Sequence, residues 1–126
     1  MKNLNKDWII GFSEGEASWF IRQDSSRGFE IGQKKQDSQI LYKIKSTLGF
    51  GKVYHNSQIE ISRFVMLKDQ RERIFDYFNQ HLRLSKTLRR FQLWSEDLPS
   101  KLPQLQSKVK FTPLNDNAWL SGFIDA

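Results

Sequence analysis

The sequence of 126 residues contains no cysteine, which excludes a disulfide framework, thiolate catalysis and any zinc site built on cysteine. Histidine is scarce, and because His55 and His81 are not spaced as a motif we expect both on the surface or in loops. No apolar run is long enough to span a membrane, and no membrane partner is expected. The first residues show neither a hydrophobic signal core nor Arg/Ser-rich transit character, which predicts an intracellular protein.

Proline is also scarce, and the 3 prolines all fall between residues 99 and 113. That segment is rich in serine, glutamine and lysine and has weak periodicity, which is typical of a linker. We therefore predict a first domain at residues 1–97, a linker at 98–115, and the start of a second unit at 116–126.

Acidic residues are outnumbered by basic ones, and the formal net charge is +6 with a pI near 9.7. A basic surface favours an anionic partner, of which nucleic acid is the simplest. Generic basic solubility is the alternative interpretation of the charge alone.

The stretch Trp8–Ala17 is largely repeated at Trp119–Ala126. Each copy has a tryptophan, two small or aliphatic residues, Gly-Phe, one further residue, an acid and a small residue. An internal repeat of this kind predicts two copies of one structural unit. Small residues four apart on one helix face let two backbones approach closely, so we predict a helix–helix interface at Gly11, Gly15, Gly122 and Ala126.

Two acids lie near the C-terminal end of the first predicted helix, where the helix dipole disfavours negative charge by about 0.3–1 kcal/mol each. Glu14 and Glu16 therefore suggest a compensating cation, either a basic side chain or a metal ion. Carboxylate oxygens beside a phosphate would suit Mg²⁺.

The periodicity predicts an α+β fold with the order α-β-β-α-β-β-α-α, a linker and a further helix. Asn5 or Asp7 caps the first helix, and Asp116 or Asn117 caps the last. The intervening elements are predicted at residues 17–24 and 29–35 (strands), 38–48 (a helix capped by Asp37), 51–55 and 58–64 (strands), and 68–82 and 85–96 (helices). Two hairpins would form one four-stranded antiparallel sheet with helices on one face and the other face open.

The segment Trp-Ile-Ile-Gly-Phe-Ser-Glu-Gly-Glu-Ala-Ser at residues 8–18 resembles the LAGLIDADG signature of homing endonucleases and intron maturases. It departs from the form W-x-x-G-F-x-[DE]-[AG]-[DE]-G-S at Ser13, an aliphatic position, and at Ala17, where the motif has glycine. The order of elements also matches the αββαββα half-domain of that family, whose sheets form a saddle over DNA. The resemblance covers essentially the whole chain and implies the N-terminal half of a two-motif, pseudo-symmetric member.

The resemblance implies a catalytic role for three residues and a location in a mitochondrion or chloroplast. Glu16 would hold a divalent metal where the two motif helices meet, with Mg²⁺ as the cofactor and Mn²⁺ or Ca²⁺ able to replace it for binding. Gln33 would order water near the metal, and Lys86 would assist electrostatically; an ordinary surface lysine is the alternative for Lys86.

The open sheet face and its adjoining loop are the predicted surface for double-stranded DNA, because an antiparallel ribbon can enter the major groove. Basic and amide groups suit phosphates, guanine and adenine, and acids suit cytosine amino groups. An ordinary solvated sheet face is the alternative. The candidate DNA-binding residues are Ser18, Phe20, Arg22, Asp24, Arg27, Glu30, Gly32, Lys34, Lys52, Tyr54, Asn56, Gln58, Glu60 and Ser62.

In the repeat, Asp125 corresponds to Glu14, so the acid equivalent to Glu16 would follow Ala126. We therefore expect one metal-binding acid here and the second from another polypeptide carrying the C-terminal half, whether the chain is naturally split, cleaved or truncated. Pairing with a second copy of the chain is less favoured. The leading function is a site-specific DNA endonuclease; the alternatives are an intron maturase that binds intron RNA and a noncatalytic DNA-binding regulator.

Overall fold

A computed structural model describes residues 4–98 and 118–126 and has the predicted α+β architecture. The elements, in chain order, are α1 (Lys6–Glu16), β1 (Ala17–Ile21), β2 (Arg27–Lys34), α2 (Gln39–Leu48), β3 (Lys52–Asn56), β4 (Ile61–Val65), α3 (Arg71–Phe78), α4 (Ser85–Trp94) and α5 (Ala118–Asp125). Among these helices, none combines the length and the apolar character that crossing a membrane requires. The predicted linker and the cap of the last helix lie outside the described residues, apart from Leu98.

The four strands form one antiparallel sheet in the order β1-β2-β4-β3. Pairing of Trp19 with Phe29, and of Ile31 with Phe64, places large apolar side chains on the same face of the sheet. These four side chains are buried together with apolar residues of the helices, which cover that face. The opposite face of the sheet is the open one.

Several predicted boundaries differ from the structure, and local geometry explains three of the differences. The first strand ends at Ile21 rather than at residue 24, since the chain turns there and the Arg22 N–H donates to the Ser26 carbonyl at 2.8 Å. Asp37 does not cap α2, because it lies within a short 3₁₀ turn that precedes Ser38. The helix predicted at 68–82 forms only at Arg71–Phe78, since Gln80 has a φ of 71°, a left-handed conformation that a helix cannot continue.

The predicted orientation of β4 was also wrong. Ser62 is buried on the helix side of the sheet, in the same phase as Phe64, whereas Arg63 is exposed on the open face. Gln58 and Glu60 lie in the turn before β4, not in the strand. The apolar side chain of Phe64 fixes this phase, because turning it outward would lose the core contacts of β4.

Candidate active site and nucleic-acid interface

Helices α1 and α5 pack directly against each other through their small residues. A Cβ atom at Gly11 would lie 2.7 Å from the carbonyl carbon of Trp119, and one at Gly122 would lie 2.8 Å from the carbonyl carbon of Trp8. At the far end, a Cβ at Gly15 would lie 2.6 Å from the Cβ of Ala126. The contacts are reciprocal, so the repeated sequence forms a pseudo-symmetric helix pair.

The two tryptophans and the two acids of the repeat also bond across the helix pair. The Trp119 indole N–H donates to Glu14 at 2.6 Å, and the Trp8 indole N–H donates to Asp125 at 3.2 Å. Each motif therefore supplies the acceptor for the tryptophan of the other. The bond to Glu14 is partly buried, and the bond to Asp125 is exposed.

Glu14 also joins the helix pair to the beginning of α4. Its carboxylate accepts from the backbone N–H groups of Arg83 at 2.9 Å and Leu84 at 3.1 Å, next to the positive end of that helix. These donors, together with Trp119, compensate the charge of Glu14, and the nearby Arg83 guanidinium is a basic side chain of the kind that the sequence predicted beside it. Burial raises the pKa of the Glu14 carboxyl, and the backbone N–H bonds oppose that rise.

Glu16 differs from Glu14 in being exposed at the last position of α1, with no hydrogen bond or ion pair to any described residue. Two other predicted catalytic residues lie on elements near it. Pairing of Ala17 with Ile31 puts Gln33 at the same end of the sheet as Glu16, on the helix side of β2, where its amide donates to the Gly32 carbonyl at 2.8 Å. Lys86 lies in the first turn of α4 and lines a cleft with Gly15 and Ala17, the neighbours of Glu16.

Nine predicted DNA-binding residues lie on the open face or directly at its edge. Tyr54 is paired with Arg63, and the Lys52 ammonium lies 5.0 Å from the centre of the Tyr54 ring. The Phe20 ring lies over Gly28 on the neighbouring strand, and the Arg22 guanidinium lies 4.9 Å from the centre of that ring. The nine residues are Ser18, Phe20, Arg22, Glu30, Gly32, Lys34, Lys52, Tyr54 and Asn56.

Five predicted residues do not lie on the open face of the sheet. Asp24 lies in the β1–β2 turn, where it accepts two hydrogen bonds from Ser26 that lower its pKa. Arg27 donates to the carbonyls of Trp94 at 3.1 Å and Leu93 at 3.3 Å, so its guanidinium binds the C-terminal end of α4. The remaining three residues are Gln58 and Glu60, which lie in the turn before β4, and Ser62, which faces the helices.

Sequence reasoning missed Arg63, which lies on the open face in the middle of β4. Its guanidinium is 3.9 Å from the Glu30 carboxylate, and its neighbours in the sheet are Gly32 and Tyr54. The signal that could have revealed it is Phe64: fixing the strand phase on that large apolar residue turns Arg63 outward.

A family model described as LAGLIDADG endonuclease matches residues 9–97. A curated relative, "Probable intron-encoded endonuclease 4" of Neurospora crassa, is 36% identical over 127 residues. The match covers 96% of this chain but only 23% of that protein, so the chain spans about a quarter of the length of its relative.

Two solved structures have the same fold. The LAGLIDADG homing endonuclease I-GzeII, in complex with its DNA target, is 28% identical with a TM-score of 0.62, over 76% of this chain and 36% of that one. The meganuclease I-AabMI, bound to uncleaved DNA, is 21% identical with a TM-score of 0.67, over 98% of this chain and 57% of that one. Because the family model spans well over half of the sequence and the repeated motif forms the helix pair, the chain belongs to the LAGLIDADG endonuclease family.

Proposed function

We propose that this chain is one half of a site-specific endonuclease that hydrolyses phosphodiester bonds of double-stranded DNA with a divalent metal ion. The observation that carries the proposal is the pseudo-symmetric packing of α1 against α5. This packing brings the exposed Glu16 to the end of a close helix pair, beside the first strand of an open antiparallel sheet. The I-GzeII and I-AabMI structures were both obtained with DNA, which supports duplex DNA as the partner.

The donor set at Glu16 fits a magnesium ion. Magnesium in phosphate chemistry is usually held by one or two carboxylates, several waters and the phosphates of the substrate. Glu16 offers one accessible carboxylate with no competing partner among the described residues. When bound, the metal would activate water and stabilise the departing oxygen of the phosphodiester.

The other residues at this end of the sheet have supporting roles in the proposal. Lys86, exposed in the first turn of α4, places a positive charge beside the cleft and would stabilise the charge that develops on the phosphate. Gln33 would order a water through its side-chain amide, after exchanging its present bond to the Gly32 carbonyl.

The open sheet face would hold the DNA on one side of the catalytic residues. Lys34, Lys52 and Arg63 supply cations there, and Tyr54 and Asn56 add groups that can bond base edges in the major groove. Arg63 is the strongest candidate for a guanine contact, because its planar guanidinium can make two parallel hydrogen bonds. Releasing its ion pair with Glu30 would be part of binding.

We further propose that a C-terminal half completes the site. Phe123 and Ile124 occupy the positions of the buried Phe12 and Ser13 in the repeat, yet their exposed fractions are 36% and 69%. A second unit folded like the first would cover them and contribute the second acid. As in the Neurospora relative, whose name describes it as intron-encoded, we infer an intron origin and action in an organelle.

The test is cleavage of a duplex target library in the presence of Mg²⁺, by this chain alone and mixed with a polypeptide carrying the second half. We expect cleavage only in the mixture, and its loss in Glu16→Gln, which keeps the shape of the side chain but removes the charge. Glu72→Gln, on the exposed surface of α3, is the matched control and should cleave like the unaltered chain.

Cleavage that persists in Glu16→Gln would disprove the role of that carboxylate. Absence of cleavage in every mixture, together with tight binding of intron RNA, would replace the endonuclease with the maturase function.

A further inference from the structure

One face of α4 carries three cations that have no acidic partner in the described part of the chain. Lys86, Arg89 and Arg90 are spaced three and four residues apart, so their side chains share a helix face, and all three are exposed. The helix Ser85–Trp94 contains no acidic residue, and none of the three cations forms an ion pair within residues 4–98 and 118–126. Like charges at this spacing destabilise a helix, so this arrangement is unfavourable for the free protein.

The other arginines of the described chain are engaged. Arg63 and Arg71 form ion pairs, and Arg27 donates to backbone carbonyls. The guanidinium groups of Arg73 and Arg83 lie 4.5 Å and 5.8 Å from aromatic ring centres, and Arg22 combines a ring contact with a hydrogen bond to a carbonyl. Arg89 and Arg90 therefore stand out as cations held at the surface without a partner in this part of the chain.

These cations line a cleft that adjoins the proposed catalytic carboxylate. The cleft has a volume of about 660 Å³ and is also lined by Gly15 and Ala17, which flank Glu16 in the sequence, and by Phe123 of α5, where the proposed second half would close it. Ser18, on the open face of β1, lines the same cleft. The cleft thus continues from the DNA-facing side of the sheet, past the end of α1, to the basic face of α4.

We propose that this cleft binds the phosphodiester backbone of a DNA strand, with Arg89 and Arg90 contacting phosphates next to the one at Glu16. The inference rests on the proposed function and extends it to a strand path that leaves the sheet. A phosphate would neutralise the three like charges, and a guanidinium can bond two phosphate oxygens in a fixed geometry. These contacts carry no base information, so they would set the position of the strand rather than its sequence.

The test compares the unaltered chain with the double variant Arg89→Gln/Arg90→Gln, each mixed with the polypeptide carrying the second half. Binding of duplex DNA is measured by fluorescence anisotropy over a series of KCl concentrations. Glutamine keeps a good helix propensity, so the fold should persist, and circular dichroism checks this. Loss of two phosphate contacts should reduce the slope of log K against log salt by about 1.8. Affinity at about 0.1 M KCl should fall roughly tenfold or more.

The matched control is Lys43→Gln/Lys45→Gln, which removes the same charge from two exposed positions of α2 on the helix layer. It should leave the salt slope unchanged and weaken binding less than about threefold, since it removes only long-range attraction. If both double variants behave alike, the strand path over α4 is wrong, while the endonuclease proposal stands. If the mixture of the unaltered chain with the second half fails to bind duplex DNA even at low salt, both proposals are wrong.

The variant Glu16→Gln distinguishes the catalytic role proposed for Glu16 from the DNA-binding role proposed for the cleft. Its cleavage in the mixture with the second half should be lost, but its DNA affinity should match that of the unaltered chain or exceed it. A variant that loses affinity at Arg89 and Arg90 but keeps its salt slope would also contradict direct phosphate contacts.

Discussion

The substitution Gly11→Ala tests whether the close approach of α1 and α5 holds this structure together. The added Cβ would lie 2.7 Å from the carbonyl carbon of Trp119 and 3.0 Å from the backbone nitrogen of Phe123. Carbon atoms in favourable contact are about 3.5–4.0 Å apart. The carbonyl oxygen of Trp119 would lie closer still, so the helices must separate by more than about 1 Å, because backbone atoms of a helix cannot rotate away as a side chain can.

The expected magnitude follows from two opposing effects. Overpacking of a well-packed contact costs about 1–3 kcal/mol, and a rigid backbone neighbour favours the upper part of that range. Replacing glycine by alanine within a helix or strand gains about 0.5–1 kcal/mol. We expect Gly11→Ala to lower the free energy of unfolding by about 1–2 kcal/mol.

Gly32→Ala is the matched control, because no atom lies within 4 Å of the Cβ that it adds. It should gain up to about 1 kcal/mol from the same backbone effect. Urea unfolding followed by tryptophan fluorescence measures both variants, and hydrogen exchange of the α5 amides shows whether that helix detaches by itself. Equal stability of the two variants, with α5 amides as protected as in the unaltered chain, would refute the reasoning.

Further substitutions address the bonds within and beside the helix pair. Trp119→Phe should lower the free energy of unfolding in urea by about 1–3 kcal/mol, because it removes a partly buried donor. Trp8→Phe removes the exposed equivalent and should lower it by less than about 1 kcal/mol. Equal losses in the two variants would contradict this. Burial raises the pKa of Glu14, so the folded state binds its proton more tightly, and its contribution to stability should fall as pH rises from about 4.5 towards the raised pKa. Unfolding of the unaltered chain and Glu14→Gln across pH 4–8 should show that difference, and an opposite slope would disprove it. Ser13→Ala should stabilise the fold by about 1 kcal/mol, since the buried Ser13 hydroxyl has no partner among the described residues; a destabilised variant would reveal a bond that this structure lacks.

The repeat was predictable because its evidence is local. A tryptophan, a glycine four residues before another small residue, and an acid occur twice in the same order, and steric reasoning alone then predicts two helices in close contact. The helix faces of α3 and α4 followed in the same way, since Phe75, Phe78, Phe91 and Trp94 recur at helical spacing and are all buried. The family resemblance drawn from the motif is confirmed by the match over residues 9–97.

The phase of β4 was not predictable from the strand itself. Around Ser62 the sequence alternates isoleucine with polar residues, and either set could face inward. Pairing of Phe64 with Ile31 on one side and Val53 on the other removes the ambiguity, but it joins residues far apart in the chain. The alternation of side chains along a strand does not by itself show which set faces the core, so Arg63 on the open face was missed.

The sequence by itself determined the elements, their order, the apolar faces of the helices and the repeated motif, because these depend on propensity and on spacing within a few residues. The tertiary structure decided which of two similar acids is available for chemistry. Glu14 and Glu16 are two residues apart in one helix, yet Glu14 points to the beginning of α4 and the Trp119 indole, while Glu16 stays exposed. The donors that bind Glu14 lie 69, 70 and 105 residues away along the chain, and only folding brings them together.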